Sequence, residues 1–138
     1  MAKDFEIKQQ GQGFRTRVAE IASATVIEPG DLVTMTSNLI VKADENSTAL
    51  AYAINGSAAG ETSIEITEGN DFTLVGTGDD VYSEDYRGDL VDLVVDNGTQ
   101  KIDVGTSSKN VFQIIGAEDS GVVGSASGIE VRINKFIF

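Results

Sequence analysis

An all-β fold, a small barrel or sandwich of about eight or nine short strands, is what this 138-residue sequence predicts. Three observations predict it. Short β-prone runs recur at intervals of roughly 8 to 15 residues, and turn chemistry of the Pro-Gly and Asn-Gly kind separates them. No long stretch keeps the helical period of about 3.6 residues. The chain divides into an extended N-terminal arm, residues 1–23, and a single β domain, residues 24–138.

In the arm, Gln9-Gln10-Gly11-Gln12-Gly13 is a polar interval between Phe5-Glu6-Ile7 and Phe14. Such a segment is poorly suited to a core and reads either as a disordered tail, the commoner outcome for a terminus, or as an arm that orders on a partner. Arg17 to Ala24 has helical character through Val18, Ile21 and Ala22, and reads equally well as a first strand. Glu28-Pro29-Gly30-Asp31 has the chemistry of a type II turn: proline sets φ at the second position and glycine accepts a positive φ at the third. Leu32 to Thr36 and Leu39 to Lys42 flank Ser37-Asn38 at hairpin spacing.

Ala49 to Ile54 alternates, with Leu50, Tyr52 and Ile54 on the larger face, which is expected to be the buried one. Ile64 and Ile66 share a face opposite Glu65, and Phe72 to Val75 follows as another strand. Residues 76–90 form a long irregular loop rich in acids and glycine. Val91, Leu93 and Val95 alternate up to Asn97-Gly98, a type I′ turn signal, and Lys101 to Val104 returns. Val111 to Ile115 and Ile129 to Ile133 are two more strands, joined by a Gly- and Ser-rich loop. The expected core includes Leu32, Ile64, Ile66, Phe72, Leu93, Ile102, Phe112, Ile114, Val131 and Ile133.

Composition narrows the chemistry. The chain has no cysteine and no histidine, which removes thiol catalysis, thiolate metal sites, the Ser-His-Asp triad and His-containing zinc sites. Ten basic against 22 acidic side chains give a net charge of −12. That balance argues against nucleic acid as a partner, because phosphate neutralisation supplies most of such binding. The charge is uneven: Lys3, Lys8, Arg15 and Arg17 against Asp4 and Glu6 leave +2 over residues 1–17, and −14 over the rest. The longest apolar run, Ala49 to Ile54, falls far short of the roughly 20 residues that span a bilayer, so no membrane contact is expected.

The remaining motifs are short. Arg87-Gly88-Asp89 matches a tripeptide read by some cell-surface receptors, and reads more simply as a turn feeding the next strand. Asp79, Asp80, Glu84 and Asp85 are hard oxygen donors without the spacing of an EF-hand loop. Gly11-Gln12-Gly13 and Gly76-Thr77-Gly78 lack the third glycine and the Lys-Ser/Thr pair of phosphate loops. Carboxylates abound, but no pair stands out as a glycosidase acid and base. No catalytic residue, metal site or cofactor is expected, and the chain reads as a non-enzyme.

Several phrases together resemble the small cement, or decoration, proteins that tailed bacteriophages add to their capsid exteriors. These are the arm followed by Pro29-Gly30-Asp31-Leu32-Val33, the small-residue segment Ala49 to Ala53, Gly60-Glu61 leading into Ile64-Glu65-Ile66, Gly88-Asp89-Leu90-Val91-Asp92-Leu93, Val111-Phe112-Gln113-Ile114-Ile115-Gly116, and a closing Val131-Arg132-Ile133. The resemblance implies a structural protein of the virion, made in the host cytoplasm. It would form a trimer at threefold or quasi-threefold positions, with the major capsid protein as partner and a terminal arm bound to it. With the charge split, it makes Phe5, Ile7, Phe14, Arg15 and Arg17 the expected capsid contacts. The apolar end Phe136-Ile137-Phe138 is expected to be covered by the core or by a neighbouring subunit. Two rivals share the composition: a receptor-facing or adhesive β-domain of a viral fibre, and a hydrolase working with carboxylates alone.

Overall fold

Alternating apolar residues and tight turns do build an all-β body. The computed structural model describes residues 3–23, 25–57, 60–117 and 126–138. Its strands are β1 (Phe5–Gln10), β2 (Arg15–Glu20), β3 (Leu32–Thr36), β4 (Leu39–Lys42), β5 (Ala51–Tyr52), β6 (Ser63–Glu68), β7 (Phe72–Gly76), β8 (Leu90–Asp96), β9 (Thr99–Asp103), β10 (Phe112–Ala117) and β11 (Ile129–Ile133). A single 3₁₀ turn, Glu84–Tyr86, interrupts the loop before β8. Most of the loop joining β10 to β11, residues 118–125, lies outside the described residues, as do Ala24, the first residue assigned to the β domain, and Met1.

The turns behave as their residues dictate. Asp31 N donates to Glu28 O at 3.1 Å with Gly30 at φ +91°, closing the type II turn. Ser37 and Asn38, at φ 52° and 67°, and Asn97 and Gly98, at φ 51° and 80°, both adopt the doubly positive φ of a type I′ hairpin turn. Asparagine tolerates that region, so the first hairpin forms without a glycine.

Two curled sheets share the chain. The larger runs β1-β7-β11-β10-β8-β9 and curls until its β9 edge meets the chain just after β7: Ile102 N donates to Thr77 O, and Asp79 N donates back to Ile102 O, both at 2.9 Å. The smaller sheets β4-β3-β5 and β2-β6 join through the Ala53–Ile66 bridge, and close through a parallel bridge between Ile21 and Ile40. Each curl encloses its own core. Phe5, Leu32, Leu50, Tyr52, Phe72, Phe112 and their neighbours fill the first; Ile21, Ile27, Val33, Ile40, Ala51, Ala53, Ile64 and Ile66 fill the second.

All ten expected core residues are buried. The segment around β5 departs from its pattern, because Ala51 and Ala53 are as buried as Leu50 and Tyr52. It runs between the two cores, presenting its large side chains to one and its alanines to the other. Small residues there let the second core approach closely.

The N-terminal residues correct the expectation of a separate arm over 1–23. β1 pairs with β7 from Phe5–Gly76 to Gln10–Phe72, and β2 pairs with β6 from Arg15–Glu68 to Glu20–Ser63. The Phe5 ring is fully buried, stacked on Phe112 with centroids 5.7 Å apart. It also occupies the space above Gly76, where a Cβ would stand 2.3 Å from Phe5 Cε1, so only glycine fits opposite it. The turn between β1 and β2 is pinned by Asp71: Gly13 N donates to its Oδ2 at 2.6 Å, and Gly11 N to its carbonyl at 2.8 Å. The alternation of Phe5 and Ile7 is that of a strand paired with β7, with Phe5 in the core and Ile7 half-buried against it.

Two buried polar side chains hold the body together. Gln100 on β9 is fully buried; its Oε1 accepts from Leu32 N at 2.8 Å, and its Nε2 donates to Leu32 O at 2.8 Å and Ala43 O at 2.9 Å. It therefore fastens the larger sheet to the β3–β4 hairpin. Asp92 on β8 accepts from three successive amides, Ser108, Lys109 and Asn110, at 3.2, 2.7 and 2.9 Å. Its carboxylate fills the concavity those amides form and fixes the loop before β10.

Candidate functional site

The expected contact residues do not gather in one place. Phe5 is in the first core, with Ile7 and Phe14 half-buried against it, and Phe14 meets Phe72 edge-on at 5.6 Å. None of these three is presented as a free apolar tooth. Arg15 and Arg17 remain at the surface, with side chains 78% and 43% exposed, and both reach across the β2–β6 pair toward Glu68 at 3.9 and 3.5 Å. The Arg17 guanidinium also lies 4.0 Å from the centre of the Phe138 ring.

The apolar end is covered mainly by its own chain. Ile137 and Phe138 pack on the second core, Ile137 N donates to Leu50 O at 3.2 Å, and Phe138 O accepts from Gly69 N at 2.8 Å. Phe136 alone of the three points outward, 45% exposed. Larger exposure is found elsewhere: Val18 on β2 is 70% exposed and Val26 64%. Neither stands out in the sequence, where Val18 lies in the stretch readable as helix or strand and Val26 in a β-prone run.

Two clefts flank β2. The larger, about 740 Å³, is lined by Glu20, Ile21, Ala22, Val26, Leu39 and Thr62 among others, with Val18 two residues before Glu20 on the same strand face. The second, about 570 Å³, opens between β1 and β2, where the two curled sheets face each other; its lining includes Ile7, Phe14, Thr16, Tyr52, Ile54 and Glu65. Tyr52 OH donates to Phe5 O at 3.1 Å; burial, helped by the nearby Glu6 carboxylate, pushes the phenol up to about 12. Thr16 Oγ1 donates to Glu65 and holds its carboxylate at the cleft.

The acidic loop is dispersed rather than convergent. Glu84 pairs with Arg87 at 2.8 Å, Asp80 accepts from Val81 N at 2.8 Å, and Asp79 accepts from Val104 N at 3.0 Å. Desolvation, reinforced by the neighbouring Asp103 carboxyl, raises Asp79 above the usual carboxylate value. Among the described residues no three acids converge as a metal site would require. Burial likewise raises Asp31, against the Glu28 amide and Lys42, whose Nζ lies 3.7 Å away. Arg87-Gly88-Asp89 is exposed, with Gly88 N donating to Ile114 O at 2.8 Å and Asp89 O accepting from Ile114 N at 2.9 Å. Those bonds fasten the tripeptide along β10.

The fold and these surfaces define an all-β protein with two fused, curled sheets whose free features are clefts and exposed valines. Comparison with protein family models, with curated proteins and with solved structures finds no match.

Proposed function

We propose that this chain is a capsid decoration protein, which binds the exterior of a tailed-phage head and stabilises it. The observation that carries the reading is the set of residue phrases resembling decoration proteins, each of which builds a turn or strand of the body: the Pro29-Gly30 turn into β3, Ile64-Glu65-Ile66 in β6, Leu90 to Leu93 in β8, Phe112 to Gly116 in β10 and Val131 to Ile133 in β11. The exposed Val18 and Val26 beside the larger cleft support a role in contact rather than conversion.

In this reading the partner is the major capsid protein and the free protein assembles as a trimer, a closed arrangement that repeats one contact three times. Attachment falls to the β2 side of the folded body, where Arg15, Arg17, Val18 and Val26 are exposed, instead of to a detached arm. The test is co-sedimentation of the purified protein with expanded empty heads made from the major capsid protein of the same genome. The protein is expected to pellet with the heads and to raise the temperature at which they rupture. A Val18→Asp, Val26→Asp variant that folds normally is expected to stay in the supernatant. Wild-type protein that remains in the supernatant at all concentrations would sink the proposal.

A further inference from the structure

We infer that the cleft between β1 and β2 is a receptor for one lysine or arginine side chain presented by a partner protein. Its lining mixes polar with apolar side chains, the apolar ones being Ile7 from β1, Phe14 just before β2, and Tyr52 and Ile54 from the β5 segment. The apolar members suit a methylene stem, and a ring face of Phe14 or Tyr52 at the lining attracts a cation. Glu6 and Glu65 stand on the lining of the same cleft. Glu65 is half-buried and oriented by Thr16, so its carboxylate is already placed before any ligand arrives. The field of Glu6 reaches the floor, since it contributes to the upward shift of the Tyr52 phenol.

Charge complementarity selects the occupant. Two carboxylates against one ammonium, Lys3, leave the lining net negative, and the chain as a whole carries a net charge of −12. The Lys3 stem lies along Gly30, with its Cβ 2.7 Å from where a Cβ on that glycine would sit. An acidic side chain would meet two like charges in the cleft, and a purely apolar one would offer the carboxylates no donor; a guanidinium or ammonium brings both donors and the opposite charge. The cleft also has a stable frame, because Asp71 pins the β1–β2 turn above it and Tyr52 is anchored to the Phe5 carbonyl. The preference of the cleft for a cation is independent of the capsid reading, and its assay contains no capsid.

The test is amide chemical-shift titration of the full-length, isotope-labelled protein with N-acetyl-arginine methylamide, and in parallel with N-acetyl-norleucine methylamide. Saturable shifts are expected at Phe14, Thr16, Tyr52 and Glu65 with the arginine compound only. Glu6→Gln and Glu65→Gln should each weaken it roughly 2- to 5-fold, the range of an exposed or half-exposed ion pair. The amide introduced by Glu65→Gln keeps an oxygen to accept from Thr16, so the fold is preserved. Lys3→Met should tighten binding by a similar roughly 2- to 5-fold, because it removes a like charge. Equal binding of the norleucine compound, an absence of shifts at the cleft up to the solubility limit, or unchanged affinity in the charge variants would overturn the inference.

Discussion

Gln100 offers the sharpest test of how the two curled sheets are joined. Replacing it by leucine keeps the side-chain volume and removes three hydrogen bonds, one to Leu32 N and two to the carbonyls of Leu32 and Ala43. Neutral hydrogen bonds contribute about 0.5 to 1.5 kcal/mol each, so their sum lies near about 3 kcal/mol. The carbonyl of Leu32 keeps a second partner, Ala43 N at 3.0 Å, but Leu32 N would be left buried and unpaired. That orphan donor adds a cost of about 1 to 3 kcal/mol, partly offset by burying leucine carbons in place of the amide. A net loss of about 3 kcal/mol is expected, with a fall in melting temperature of roughly 10 °C for a chain of this size. Gln100→Glu should be worse at neutral pH, since it buries a charge and turns two donors into an acceptor facing carbonyls. Urea unfolding followed by far-UV circular dichroism measures both, with the slope against denaturant as the control for an unchanged unfolding transition. A loss below about 1 kcal/mol for Gln100→Leu would refute the idea that this side chain fastens the sheets.

Three further outcomes are expected. The Tyr82 hydroxyl is buried with no hydrogen-bond partner among the described residues, so Tyr82→Phe should leave stability unchanged or raise it by about 1 kcal/mol in urea melts; a loss of comparable size would mean the hydroxyl is satisfied after all. Asp79 and Asp31 are both raised in the folded protein, so the fold binds their protons more tightly than the unfolded chain does. Their contribution is present below the ordinary value of 3.8 and is lost as pH rises through the raised folded value. Asp79→Asn, which can still accept from Val104 N, should therefore stabilise the protein at pH 7 and flatten its stability profile above about pH 4; a profile identical to wild type would contradict this. Removing residues 2–17 takes away β1 and half of β2, and should lower the melting temperature sharply or abolish folding; an unchanged melting curve would restore the detached arm.

Much of this architecture is legible in the sequence because its causes are local. Asn97-Gly98 and Pro29-Gly30 turn where their φ preferences require, and the alternation in Ile64-Glu65-Ile66 or Val131-Arg132-Ile133 marks an inward face. The N-terminus reads as a detached arm because glutamines and glycines around Gly11 dominate the local composition. Its partner strand β7 is distant in sequence; the period-two placement of Phe5 and Ile7 is the signal that reports it. β5 hides for another reason: alternation implies one buried face, and only the presence of two cores explains why Ala51 and Tyr52 are both covered. Gln100 carries no local signal, since an amide between Thr99 and Lys101 looks like any exposed hairpin residue. The clefts are equally non-local, each assembled from strands of both sheets or from loops that meet only after folding.

Electron cryomicroscopy of expanded heads incubated with excess purified protein tests the proposed function most directly. The expected map has added density for the two-sheeted body on the outer surface at threefold or quasi-threefold positions, with the β2 side turned toward the capsid protein. Heads that show no added density under saturating protein would contradict the assignment as a decoration protein.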